Sequence, residues 1–144
     1  MAWLEQAFVI FRLEPFSRNS RNEISSGRKI YFYDNGIRNS IIANLNPLSF
    51  RTDTGVIWEN FLISERMKFL HYEKILCRRY FWRTYGPQEI DYIEERGGQL
   101  FAYEFKWSVK KQRYKIPSAF KQSYPDTVVK VITPANFQEF LTSL

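Results

Sequence analysis

The chain has 144 residues, about one ordinary domain, and 44% of them are hydrophobic, enough to bury a core. Its 21 lysines and arginines outnumber its 15 acids, and the formal net charge of +6 favours a polyanionic partner. A single cysteine, Cys77, excludes an intrachain disulfide, and a single histidine, His71, excludes zinc sites of the Cys/His kind.

Other absences narrow the class further. No apolar run approaches the roughly 20 residues of a membrane span. The N-terminus lacks the basic region of a secretory signal. We therefore expect a cytoplasmic protein without membrane association. No GxxxxGK[ST] or GxGxxG run offers a nucleotide-phosphate cradle.

In chain order, Met1 to Ala7 reads as the end of a helix. Phe8 to Phe16 alternates and closes at Pro15, so it reads as a strand. Ser17 to Arg28 is a polar loop, and Lys29 to Tyr33 a second short strand, so the two form a β-ribbon. Asp34 or Asn35 can cap a helix through Ile37, Ile41 and Ile42, which ends before Pro47. Asp53 is positioned as the N-cap of a longer helix, about Thr54 to His71, whose apolar residues Ile57, Phe61, Leu62, Met67 and Leu70 recur near helical spacing. Ile75 to Thr84 reads as a strand, followed by a turn at Tyr85-Gly86-Pro87. A hairpin comes next. Ile116 to Tyr124 reads as a short helix, Thr127 to Ile132 as a buried β-branched strand, and Thr133-Pro134 opens a last helix. The order predicts an α/β fold with helices on the faces of a small mixed sheet, in which antiparallel strands are followed by a helical crossover.

The hairpin, Glu89 to Trp107, carries the chemistry. Gly97-Gly98 separates two alternating runs, and both glycines accept the positive φ of a two-residue hairpin turn. That register sets Arg96 against Gln99, Glu94 against Phe101, Ile93 against Ala102 and Asp91 against Glu104. One face then carries Asp91, Ile93, Ala102, Glu104 and Lys106. The other carries Tyr92, Phe101, Tyr103, Phe105 and Trp107 and is a core face. Directly opposed Asp91 and Glu104 have Cβ atoms roughly 5 Å apart and repel. A cation between them or a shared proton relieves that repulsion. From Lys106 to the end stand seven basic residues against two acidic ones, and Lys110, Lys111, Arg113 and Lys115 form either a nucleic-acid track or a solvated loop. Bland readings stand beside the sharp ones. Lys106 can pair with Glu89 across the strands, and Glu59 can pair with Arg66 or Arg83 at the core rim. Trp58, Trp82 and Trp107 read as core, and His71 and Cys77 as an exposed helix end and a buried strand thiol.

An early helix bearing Glu59, a strand bearing Asp91 and then Glu104-Phe105-Lys106 resemble the PD-(D/E)XK nuclease superfamily. The segments KIYFYDNGI, GVIWENFL, YFWRT, EIDYIEE and AYEFKWS resemble the C-terminal domain of unknown function of prokaryotic AAA+ type ATPases. Ile90, where that superfamily often has proline, is a departure. The resemblance implies a restriction-endonuclease-like core over residues 35–144, preceded over 1–34 by the last helix and wing of a winged-helix-like segment. It implies an ATPase module normally in the same chain, and it implies cleavage of DNA. Asp91 and Glu104 would bind Mg²⁺ or Mn²⁺, Lys106 would act on the attacking water, and Glu59 would complete the catalytic set. Two other readings remain open: a fold of this kind that no longer cuts and serves as a binding module, and an assembly domain that forms a homo-oligomer through its aromatic surface.

Overall fold

The computed structural model describes residues 1–18, 21–108 and 115–144. Its element order is α1 (Ala2–Gln6), β1 (Ile10–Pro15), β2 (Lys29–Phe32), α2 (Asn35–Ile41), a 3₁₀ turn (Leu48–Phe50), α3 (Thr54–Tyr72), β3 (Arg78–Arg83), β4 (Glu89–Arg96), β5 (Gln99–Phe105), α4 (Ser118–Ser123), β6 (Val128–Ile132) and α5 (Phe137–Thr142). The strands form one mixed six-stranded sheet in the order β2-β1-β3-β4-β5-β6. The pairs β1–β2, β3–β4 and β4–β5 are antiparallel. The pairs β1–β3 and β5–β6 are parallel, and the latter is joined by the α4 crossover. The fold is therefore mixed α/β, as the element order predicts. The β1–β2 ribbon joins the same sheet through Glu14↔Tyr80 and Pro15↔Phe81.

Each face of the sheet buries its own cluster. Beneath α3 and α5 lie Trp58, Leu62, Ile63, Met67, Phe81, Tyr92, Tyr103, Phe105 and Phe140. On the α4 side lie Phe16, Trp82, Ile90, Ile93, Ala102 and Phe120. Burying a side chain of this size contributes roughly 1.5–3 kcal/mol. Among the described residues, no helix is long and apolar enough to cross a membrane.

The hairpin turn is as the glycines dictate: Gly97 has φ +55° and Gly98 φ +78°. The observed register, Arg96↔Gln99, Glu94↔Phe101, Ile93↔Ala102 and Tyr92↔Tyr103, is the one the turn sets. On its other edge β4 behaves differently. From Tyr80↔Ile93 to Trp82↔Ile90, two steps along β3 match three along β4. This is a β-bulge, and it explains why Ile90 joins one core cluster and Tyr92 the other. The inserted residue between them is Asp91.

Several local expectations give way to tertiary context. Helix α3 ends in a Schellman arrangement: Lys74 takes φ +55°, its N–H reaches His71 O at 3.1 Å, and Ile75 N–H reaches Leu70 O at 2.9 Å. The chain leaves this turn with Leu76 95% exposed, and β3 begins at Arg78, not at Ile75. Asp53 stands at the N-cap of α3 but does not cap it. Its carboxylate accepts from Arg51 (2.9 Å to each oxygen) and Arg38 (3.0 Å), whose guanidinium groups outcompete a neutral backbone N–H. Asp34, by contrast, caps α2 by accepting from Ile37 N–H at 3.0 Å. Trp58 and Trp82 are core, but Trp107, past the end of β5, is 41% exposed. Cys77 lies half-buried in the loop before β3, not within a strand, and burial pushes its thiol up to about 12. His71 is at an exposed helix end, as expected.

Candidate functional site

Edge strand β2 and helix α3 are pinned together by Asn60. Its side-chain amide accepts from Phe32 N–H (2.8 Å) and donates to Phe32 O (3.0 Å), in the manner of an added strand residue. This places the preceding residue, Glu59, over the alternate side chains Lys29 and Tyr31 of β2. Tyr31 Oη donates to Glu59 Oε1 at 2.5 Å, and Lys29 Nζ lies 3.3 Å from the same oxygen. Lys29 also pairs with Glu89 at the start of β4. The sequence alternatives for these groups are thus corrected. Glu59 binds Lys29 and Tyr31, because Arg66 is committed to Glu94, and Glu89 binds Lys29. Lys29 and Tyr31 were not identified from the sequence. The only signal was their alternation in KIYFY, which places both on one side of β2.

The paired register of β4 with β5 runs as far as Tyr92↔Tyr103, and Asp91 and Glu104 lie just beyond it on the two strands, where the expected Asp91↔Glu104 pair is not among the ladder pairs. The bulged Asp91 turns one oxygen, Oδ2, to the Phe105 N–H at 2.8 Å. Burial, then the charge of Glu104, then that of Glu59, push the Asp91 carboxyl up to about 7, against the opposing pull of the Phe105 N–H and Lys29. Three of the four expected catalytic residues therefore act on one another electrostatically. The fourth, Lys106, donates from Nζ to Glu104 Oε1 at 2.6 Å. Burial works against the Lys106 charge, but Glu104, Asp91 and Glu59 outweigh it and raise its pKa. The remaining oxygen of Glu104, Oε2, is buried without a hydrogen-bond partner among the described residues.

An orphaned, buried carboxylate oxygen beside a carboxyl held near 7 marks a site short of positive charge. Oxygen donors of this kind fit a hard divalent cation. Asp91 and Glu104 are the two that fit, and Glu59 is engaged by Lys29 and Tyr31. Among the described residues no three acids, histidines or cysteines already form a metal cage. Of the expected nucleic-acid contacts, Lys115 is exposed, and Lys110, Lys111 and Arg113 lie outside the described residues.

The Asp91 environment predicts a pH effect in the metal-free protein. The unfolded carboxyl titrates near ~3.9, whereas the folded one is raised to about 7. A raised acid contributes stability that is complete below the unfolded value and lost as pH rises through the folded one. The melting temperature of Asp91→Asn should therefore gain on wild type as pH rises from about 5 to 8, and the gap should close toward acid pH. A gap that does not change with pH would contradict this environment.

A family model for DUF4143, a domain of unknown function, matches residues 54–140. A second, for DUF8612, also a domain of unknown function, matches residues 1–49. The candidate site draws Lys29 and Tyr31 from the second stretch and its other residues from the first. Two curated relatives, uncharacterized proteins of Mycobacterium bovis and Mycobacterium tuberculosis, are each 26% identical over 105 residues, covering 72% of this chain and 23% of the relative. The chain thus matches less than a quarter of the length of those relatives. No solved structure matches it.

Proposed function

The chain belongs to the DUF4143 family, and on that premise we propose that the cluster of Glu59, Asp91, Glu104 and Lys106 is a divalent-metal-dependent site for phosphodiester cleavage in DNA. The observation that carries the reading is the unpartnered buried oxygen of Glu104 beside a raised Asp91 and a charged Lys106. The resemblance to the PD-(D/E)XK nucleases supports it, and the net charge of +6 suits a polyanionic substrate. Asp91 and Glu104 would hold Mg²⁺ or Mn²⁺, which when bound acidifies a coordinated water and offsets charge developing on phosphate. Lys106 supplies a fixed positive charge at the edge of the acid pair, where it stabilises an oxyanion on the substrate. Glu59, held by Tyr31 and Lys29, lies on the α3 side of the acid pair, where it would orient what enters the site. The resemblance to the C-terminal domain of AAA+ type ATPases would couple this site to an ATPase module, in the same chain in such relatives.

A second reading rests on a different observation. Glu59 already has two partners, and the described residues hold no formed three-acid cage. This favours a fold that has kept the acids as a structural network and serves as a binding module. Incubation with supercoiled DNA separates the two. The nuclease reading expects nicking with Mn²⁺ or Mg²⁺ that EDTA abolishes. Lys106→Ala should lose at least about a hundredfold in rate while retaining Mn²⁺ binding, because the lysine acts on the transition state. No cleavage by wild type, together with no metal-dependent shift in its melting temperature, would favour the binding module.

A further inference from the structure

Two residues of an aromatic pocket adjoin members of the acid–lysine cluster in sequence. Trp58 precedes Glu59 on α3, and Trp107 follows Lys106 after β5. Their indoles meet edge to face, with centroids 5.4 Å apart and planes at 65°. Together with Leu48, Ile57 and Phe61 they line a cavity of about 240 Å³. An apolar cavity of about 150 Å³ already admits a benzene ring.

Two details distinguish this pocket from ordinary core. Trp107 is 41% exposed, so one wall of the pocket is partly open to solvent. Trp58 is only 6% exposed, and its Nε1–H is buried with no hydrogen-bond partner among the described residues. Buried donors are almost always satisfied, and one left unpaired beside a cavity is a donor that an acceptor entering the cavity can use. The ligand that meets these terms is flat and aromatic and carries acceptors on its edge. It is joined to an anion that can lie near Lys106. A nucleobase on its phosphodiester backbone has each of these properties.

We propose that the Trp58–Trp107 pocket takes one unstacked nucleobase, so that the neighbouring site acts on single-stranded or locally unpaired nucleic acid. A base inside a duplex cannot reach such a pocket without being unpaired, and that cost selects against intact duplex. The inference rests on the nucleic-acid reading above but not on cleavage.

The test is fluorescence anisotropy in EDTA, with a short labelled oligothymidylate and a labelled duplex as probes. Wild type should bind the single strand at least about tenfold more tightly than the duplex. Trp107→Ala should lose roughly tenfold or more on the single strand, Trp107→Phe should keep most of the affinity, and the duplex should barely respond. Melting curves of both variants confirm folding, which the exposure of Trp107 favours. Equal binding by wild type and Trp107→Ala, or equal affinity for both probes, would overturn the proposal. So would a wild-type dimer that Trp107→Ala converts to monomer with no change in binding, since the pocket would then seat a second copy. Tryptophan-dependent binding without metal-dependent cleavage would sustain the pocket and sink the nuclease reading. Cleavage indifferent to Trp107 would do the reverse.

Discussion

Glu94→Ala should destabilise the fold by about 3–5 kcal/mol, more than any exposed substitution, because it strands the buried Arg66 and the half-buried Arg96. Glu94 is fully buried and Arg66 is 1% exposed. Arg66 grips the carboxylate bidentately, Nε to Oε1 at 2.7 Å and Nη2 to Oε2 at 3.0 Å. Arg96 Nε stands 2.9 Å from Oε2, close enough for an ion pair but too poorly aligned for a hydrogen bond. The third Arg66 nitrogen, Nη1, donates to Phe140 O and Ser143 O, so one guanidinium ties α3 to β4 and to the end of α5. Arg66→Met should be similarly costly, since it also orphans two carbonyls. The double substitution Arg66→Met/Glu94→Ala should cost clearly less than the sum of the two singles, because neither the Arg66 cation nor the Glu94 carboxylate is then left buried without the other. Urea unfolding of the four proteins measures this. A Glu94→Ala loss under about 1 kcal/mol, or strict additivity, would contradict the account of the pair.

The second large effect belongs to the acids. Asp91→Asn and Glu104→Gln should each reduce metal-dependent cleavage by roughly a hundredfold or more, since each removes a charged oxygen donor. Stability should move the other way. In the metal-free protein the Asp91 charge is disfavoured by burial, then by Glu104 and Glu59, so Asp91→Asn should melt several degrees above wild type near pH 8 and lose any stabilisation by Mn²⁺. If the acids are instead a structural network, Asp91→Asn destabilises and Mn²⁺ shifts nothing.

Much of this was legible because it is local. Gly97-Gly98 fixes the hairpin register within the hairpin itself, and Asp34 caps α2 from three residues away. What escaped was set by distant neighbours. The bulge at Asp91 exists only in the pairing with β3, and no feature of EIDYIEE announces it. Lys29 and Tyr31 reach Glu59 because α3 docks on β2 through Asn60. Alternation carried Trp107 onto the aromatic face, but β5 stops at Phe105 and the ring emerges half-exposed. Glu94 did leave a usable signal: an acid directly opposite Phe101, on the face of Tyr92 and Tyr103, needs a buried cation, and Arg66 supplies it.

The most direct test of the metal site is a Mn²⁺ titration by isothermal calorimetry, on wild type and on Asp91→Asn, in the absence of nucleic acid. The site described here predicts saturable binding by wild type that releases protons near pH 7, because the raised Asp91 carboxyl must ionise to bind. It predicts no such binding by Asp91→Asn. No heat of binding from wild type, or equal binding by both proteins, would contradict it.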